Sequence, residues 1–109
     1  MERARLFAQT FKMYIKIHNS YRKVIALCDS NMIGKTFEEE KLQLKITESF
    51  FKGEEVSKEQ VIKILQKEAR DDSTFNIVGE ESISLAVKIG LIKKENIGKI
   101  SNVPYALVF

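Results

Sequence analysis

The stretch from residue 75 to residue 92 constrains the fold more than any other part of the chain. It begins as a short apolar run, turns at Gly79, and continues with Ile83 and Val87 at helical spacing until Gly90. Gly79 can precede a helix, the two glutamates after it complement the helix dipole, and Gly90 suits the left-handed position after the last turn. One face of this helix is apolar, so the rest of the chain must cover it.

The other predicted elements supply that cover. Ser57 and Gln60 have the spacing of a capping box, which starts a second helix. Alternating or continuous apolar residues predict strands at 13–18, 23–28, 42–47 and in the C-terminal run from Tyr105. The first two form a hairpin whose second strand is apolar on both faces, so it should be central, with the first nearer an edge. We expect an α+β fold: a mainly antiparallel sheet of four to five strands, packed by helices at 58–70 and 80–89 that share one face.

The length of 109 residues fits a single domain. Residues 1–12 show no clear period, and we expect them to be a basic N-terminal arm or extension, with the α+β domain at 13–109. No apolar run is long enough to span a membrane or to serve as a signal segment. The single cysteine, Cys28, cannot form an internal disulfide, which agrees with a reducing compartment. These features predict a cytoplasmic protein with no membrane partner.

Few residues of the chain offer catalytic chemistry. One His and one Cys do not support a zinc site or a Ser/His/Asp triad, so we predict no cofactor and no metal. The sequence Gly-Lys-Thr at 34–36 resembles the tail of a phosphate-binding loop, but Asp29 stands where that motif needs a glycine. An enzyme alternative uses Cys28, Asp29 and Lys35 at one strand end, with Lys35 activating the thiol. The other interpretation of Cys28 is a buried structural thiol.

The distribution of charge favours a binding function. Residues 1–35 carry seven Lys and Arg against Glu2 and Asp29, a net charge of +5, whereas the whole chain carries +3. Lysine and arginine that contact phosphates release counterions and so give affinity for nucleic acid. An aromatic side chain among these cations can stack on an unpaired base. The candidate RNA-binding residues are Arg3, Arg5, Lys12, Tyr14, Lys16, Tyr21, Arg22, Lys23 and Lys35.

A third alternative is an adaptor for another protein. The middle of the chain, residues 36–72, is acidic, and the aromatic pair Phe50 and Phe51 could leave one ring exposed for a partner.

Several short segments together resemble a known family. They are Cys28-Asp29, residues 33–37, 48–53, 76–80, Ala86 with 90–92, and 103–106, in this order and spacing. The chain is similar over about residues 13–109 to the archaeal domain-of-unknown-function family numbered four hundred and twenty-four. Tyr105 stands where that family commonly has a histidine and Phe51 where it has a tyrosine, so this chain lacks two polar groups that an active site could use.

The resemblance implies a small archaeal protein linked to the translation apparatus. Combined with the basic N-terminal part, it leads us to predict a non-catalytic module that binds structured RNA and is ribosome-bound or translation-associated. The expected partners are ribosomal or other structured RNA, a ribosomal subunit and a ribosomal protein. The small enzyme and the protein adaptor remain the alternatives.

Overall fold

The structure is a computed structural model that describes residues 12–109. The predicted arm, with Arg3 and Arg5, lies outside the described residues except for Lys12. The strands are β1 (Met13–His18), β2 (Val24–Asp29), β3 (Thr36–Glu39), β4 (Leu42–Lys45), β5 (Glu54–Val56), β6 (Thr74–Val78), β7 (Gly98–Ile100) and β8 (Val103–Val108). The α-helices are α1 (Glu48–Phe51), α2 (Lys58–Arg70) and α3 (Glu80–Lys88), with single 3-10 turns at Ser30–Met32 and Lys94–Asn96. No helix in this part of the chain is long and apolar enough to cross a membrane.

Six strands form the main sheet, in the order β5-β1-β2-β6-β8-β7. The predicted β1–β2 hairpin is present, with Met13 opposite Asp29 and His18 opposite Val24. The α+β class and the single domain are confirmed. Four of the five neighbouring strand pairs in the main sheet are antiparallel, as expected, but the sheet has six strands instead of four to five, and β2 and β6 pair in parallel. The chain passes through α2 before it enters β6, and a connection of this kind is what joins parallel neighbours. The sequence did not predict this strand, because a short apolar run such as 75–78 has no periodicity that distinguishes a buried strand from a helix.

The predicted strand at 42–47 does not join the main sheet. The part of it that forms a strand, β4, pairs with β3 in a separate two-stranded sheet. The turn at residues 40–41 returns the chain directly onto the preceding segment, so β4 finds its partner locally. Leu44 and Ile46 pack inward from it, whereas Leu42 is exposed.

Two apolar layers cover the two faces of the main sheet. Helices α2 and α3 lie on one face, where Val61, Leu65 and Ile83 pack with Ile25 and Phe75, so the prediction that the helices share a face is confirmed. The opposite face is covered by the β3–β4 sheet and α1. That second cluster contains Ala26, Cys28, Ile46, Phe51 and Val78. Because both faces are covered, β2 must be apolar on both sides, as its sequence shows.

Local signals set the helix starts. The capping box of α2 is formed, with Gln60 N donating to Ser57 Oγ at 3.4 Å and Ser57 N donating to Gln60 Oε1 at 3.0 Å. Helix α3 starts after Gly79, whose φ of +108° is open to glycine and strained for other residues. The N-terminus of α3 is therefore placed close to the carboxyl ends of β2 and β6.

Candidate functional site

Asp29, at the carboxyl end of β2, holds the start of α3 with both of its carboxylate oxygens. Its Oδ2 accepts a hydrogen bond from Glu81 N at 3.1 Å, and its Oδ1 accepts from Ser82 N at 2.8 Å and from Ser82 Oγ at 2.7 Å. It thus serves as the N-terminal cap of α3 from a distant strand, since Gly79 has no side chain that could do so. A Cβ on Gly79 would lie 2.6 Å from Asp29 Oδ2, so the glycine is what permits this approach.

Cys28 is completely buried in the second apolar cluster. Burial, with a smaller contribution from the charge of Asp29, raises the pKa of its thiol to about 12, although a hydrogen bond with the backbone of Tyr14 acts in the opposite direction. Lys35 is not among the groups that shift this pKa. A thiol of this kind stays protonated at neutral pH, and thiolate is the nucleophilic form. The geometry is that of a structural thiol and gives the enzyme alternative no activated nucleophile.

A cleft of about 500 Å³ opens beside these residues, at the carboxyl ends of the parallel strands. Lys12, Asn31 and Asn102 line it together with Glu80 and Glu81. The carboxylates outnumber the lysine there, so the cleft does not attract an anion. Within residues 12–109, no group of three or more His, Cys, Asp or Glu is arranged to hold a metal ion.

Two of the predicted RNA-binding residues face α1. Tyr14 is half-buried in the second apolar cluster, and Lys52 Nζ lies 5.9 Å from the centre of its ring. Lys16 Nζ donates a hydrogen bond to Ser49 O at 2.7 Å. Both side chains are therefore engaged within the domain, and Tyr14 does not present its ring face for stacking.

The aromatic pair in α1 is also covered. Phe51 is buried, and the ring of Phe50 stacks on His18 with centroids 4.5 Å apart. His18 Nε2 also makes a 2.8 Å hydrogen bond with Phe50 O. The protein-adaptor alternative expected one exposed ring at Phe50 or Phe51, and neither ring is free in this way.

Arg22 and Lys23 anchor the β1–β2 turn to the end of α2. Arg22 donates to Asp72 O from Nε at 3.1 Å and from Nη2 at 2.9 Å, and its Nη2 lies 3.2 Å from Asp72 Oδ1. Lys23 Nζ lies 3.0 Å from Glu68 Oε1 and 3.6 Å from Asp71 Oδ2. These contacts hold the turn in place, and they neutralise much of the charge that the sequence assigned to RNA.

The buried carboxylate in this anchor is Glu68. Its burial acts to raise its pKa, but hydrogen bonds from Lys23 and Ser73, together with the nearby positive charges, outweigh that effect and lower the pKa below its ordinary value. Ser73 Oγ donates to Glu68 Oε1 at 2.8 Å. The ion pair with Lys23 is accordingly part of the packing of the domain and not a free surface contact.

Tyr21 is the one predicted residue that the turn presents entirely to solvent. Its side chain is fully exposed, more than any other large apolar side chain in residues 12–109. It lies between a Ser20 hydroxyl that bonds Arg22 O at 2.6 Å and the anchored Arg22 itself. These contacts restrain the backbone that carries the ring, while the ring itself is left in solvent.

The predicted cations do not form a single patch. Lys12 directly precedes β1 and lies at the carboxyl end of β2, where Met13 pairs with Asp29. Arg22 and Lys23 lie at the opposite end, where His18 pairs with Val24. At about 3.4 Å per residue, the strands separate these two groups by roughly 17–20 Å. Lys35 is exposed and follows the 3-10 turn that begins next to Asp29.

Sequence reasoning missed a groove between α3 and β7. It has a volume of about 810 Å³, and Ile83, Val87 and Ile97 form its apolar part. Lys88, Lys94 and Lys99 also line it. The sequence does contain a signal for it, because lysines occur at the end of the apolar helix α3 and in the segment after it. Residues 93–96, however, look like a simple polar connection in the sequence.

Comparisons with known proteins identify the fold and no activity. The family model described as "Protein of unknown function (DUF424)" matches residues 17–109. No curated protein matches the chain. The crystal structure of an uncharacterized conserved protein from Methanopyrus kandleri is similar, with a TM-score of 0.80 and 24% identity, over 89% of this chain and 90% of that one. At that identity the likeness shows a shared fold.

Proposed function

This chain belongs to the family of proteins of unknown function DUF424, as its sequence predicted, and we propose that it is a non-catalytic module that binds structured RNA through the β1–β2 turn. The partner in this proposal is ribosomal or other structured RNA on a cytoplasmic ribosomal subunit, in line with the translation link that the family resemblance implies. A neighbouring ribosomal protein would complete the binding surface.

The exposure of Tyr21 carries the proposal. A tyrosine ring left in water at a turn loses the apolar contacts that usually bury such a side chain. The ion pairs of Arg22 with Asp72 and of Lys23 with Glu68 tie the turn to the C-terminal end of α2, so stacking would need less ordering of the backbone. A rigidly presented aromatic ring is what single-stranded loops and bulges of RNA use as a stacking platform.

The charge around Tyr21 is weakly positive. Arg22, Lys23, Lys67 and Arg70 stand at this end of the molecule against Glu68, Asp71 and Asp72. Four cations against three carboxylates leave enough positive charge to favour a phosphate backbone but not enough to bind duplexes tightly. The proposal is therefore a base-stacking contact supported by a modest electrostatic term.

A tryptophan at position 21 tests the contact directly. The sequence contains no Trp, so Tyr21→Trp places a single reporter in the turn. We expect single-stranded RNA oligonucleotides to quench its emission at low salt, because a base that stacks on the indole quenches it, and we expect the quenching to weaken as salt rises from roughly 50 to 200 mM.

The matched control is Phe109→Trp, since Phe109 is also strongly exposed and no ion pair of the described residues flanks it. Quenching of both variants alike would show non-specific collisions, and no quenching of Tyr21→Trp at low salt would refute the stacking contact. Reversal of Lys23 to Glu is unsuitable as a probe, because it would place a second carboxylate beside the buried Glu68 and unfold the anchor.

A further inference from the structure

The groove between α3 and β7 is built from one face of a helix and one edge of the main sheet. Glu80, Ile83, Ser84, Val87 and Lys88 recur at three- and four-residue intervals, so they lie on one side of α3. The opposite side is formed by Lys99 of β7 and by residues that flank this edge strand, namely Lys94 and Ile97 before it and Asn102 and Pro104 after it. The groove therefore lies between a helix face and the edge of the sheet and is open to solvent.

The interior of the groove is aliphatic. Ile83 and Pro104 are buried at its base, and Val87 and Ile97 are half-buried on its walls. No aromatic side chain lines it. A volume of about 810 Å³ in an open groove is large enough for several aliphatic side chains of a partner.

The rim of the groove carries positive charge without internal partners. In the part of the chain that the structure describes, no salt bridge involves Lys88, Lys94 or Lys99. This differs from the β1–β2 turn, where Lys23 has two carboxylate partners. Three lysines against the single Glu80 leave the groove with a net positive rim.

The charge is also graded along the groove. Glu80 stands at the start of α3 and Lys88 at its last residue, so the acidic and basic ends are about 12 Å apart at 1.5 Å per residue. Lys94 and Lys99 add to the rim on the side of the other wall. A bound segment would therefore meet positive charge along most of its length and a carboxylate at one end.

From these features we infer that the groove is a docking site for an acidic amphipathic segment of a protein partner. Its aliphatic side chains would fill the space over Ile83, Val87 and Ile97, and its Asp and Glu side chains would contact the three lysines. This is the helix-in-groove mode of recognition, in which apolar anchors recur at i, i+3, i+4 and i+7. The end of the segment near Glu80 would be neutral or basic.

The lining favours a protein over RNA at this place. RNA bases are recognised by stacking on aromatic or guanidinium groups, and the groove offers aliphatic side chains and lysines instead. The inference is independent of the RNA contact at Tyr21, which lies on another part of the molecule. The two together describe a protein that bridges an RNA and an acidic protein segment.

A designed peptide tests the docking site. The probe is a fluorescein-labelled helical peptide with leucines at i, i+3, i+4 and i+7 and glutamates on the flanking positions, compared with a scrambled peptide of the same composition. Fluorescence anisotropy measures both affinities with the full chain, and amide shifts in nitrogen-15 spectra locate the contact. We expect the patterned peptide to bind more tightly than the scrambled one and to shift residues 83–88 and 97–99.

Charge reversal at the rim should weaken this binding. Lys94→Glu with Lys99→Glu removes two attractions and adds two repulsions, so we expect about a tenfold loss of affinity. The matched control is Lys35→Glu with Lys63→Glu, which changes the net charge equally at exposed lysines that do not line the groove. It should retain the wild-type affinity within about twofold. Lys88 is left unchanged, because a glutamate at the end of α3 would oppose the helix dipole.

A second variant tests the apolar part without touching the core. Ser84 is exposed and lines the groove, so Ser84→Trp should fill it and abolish peptide binding while the fold is kept. Equal loss in the groove and control charge variants would overturn the inference, as would equal binding of the scrambled peptide. Amide shifts at 83–88 that are larger with an RNA oligonucleotide, or with the fatty acid laurate, than with the patterned peptide would overturn it too. They would assign the groove to a different ligand.

Discussion

The two ends of β2 use their polar residues in opposite ways. At the carboxyl end, Cys28 is buried and both carboxylate oxygens of Asp29 accept hydrogen bonds from the start of α3. At the amino end, Lys23 pairs with Glu68 of α2 and Arg22 with Asp72 just beyond that helix, whereas the adjacent Tyr21 is fully exposed to water. The comparison shows that charged residues at both ends of β2 form contacts that hold the fold together. The residues available for binding are those that the anchors leave exposed.

The largest effect that tests this comparison is expected at Gly79. Gly79→Ala would put a Cβ at a φ of +108° and 2.6 Å from Asp29 Oδ2, so the cap and the backbone cannot both keep their places. We expect the free energy of unfolding to fall by about 3–5 kcal/mol, measured by urea denaturation. Gly90→Ala is the control. Its φ is +82°, but a Cβ there would meet nothing within 4 Å, so the loss should be about 1–2 kcal/mol. Equal losses at the two glycines would contradict the tight contact at Asp29.

The next effect concerns Asp29 itself. Asp29→Ala leaves two backbone N–H groups at the start of α3 without an acceptor, and we expect a loss of about 2–4 kcal/mol in the free energy of unfolding. Asp29→Asn keeps one acceptor oxygen and should lose about half as much. If Asp29→Ala were neutral in stability, Asp29 would be free for a role other than the cap.

A smaller effect is expected from the anchor of the turn, and it depends on pH. The folded pKa of Glu68 lies below its ordinary value of 4.5, so its ionised form contributes stability that is present above that pH and is lost as pH falls through the folded pKa. Wild type should therefore be more stable than Glu68→Gln at pH 7, and the difference should shrink below about pH 4.5. Glu54→Gln, on an exposed strand position, should differ little from wild type at either pH. A Glu68 difference that stayed constant with pH would show that the pairing with Lys23 contributes nothing.

No effect at all is expected at Cys28 in the folded state. Iodoacetamide at pH 8 should leave the thiol unmodified, because it is buried and its pKa is raised to about 12. The thiol should react fully once the protein is unfolded in guanidinium, as mass spectrometry would show. Modification of the folded protein at the rate of a free thiol would restore Cys28 as a candidate nucleophile.

The fold was predictable where its signals are local. The capping box at Ser57 and the alternation in β1 involve residues close in sequence, and both elements formed as predicted. The exclusion of β4 from the main sheet and the parallel pairing of β2 with β6 depend on which segments meet in space. A period-2 pattern reports that a strand has a buried face but not which strand lies beside it.

The candidate site was less predictable for the same reason. Arg22 and Lys23 look like free cations in the sequence, but their partners lie about 45 to 50 residues further along the chain, at Glu68 and Asp72. In the sequence Asp29 looks available to a site with Cys28 and Lys35, but α3, some 50 residues later, donates three hydrogen bonds to it. Charge can be counted from a sequence, whereas its neutralisation by distant residues cannot.

Cosedimentation with ribosomal subunits tests the central claim most directly, namely that the anchored turn presents Tyr21 to structured RNA. Native extract containing the wild-type chain, Tyr21→Ala or the control Phe109→Ala would be sedimented across a salt series. We predict that wild type and Phe109→Ala move with the subunits at low salt and are released as salt rises, and that Tyr21→Ala binds about tenfold more weakly, within the range of one lost base stack. A wild-type protein that stays in the soluble fraction at every salt concentration, or a Tyr21→Ala variant that sediments like wild type, would contradict the account.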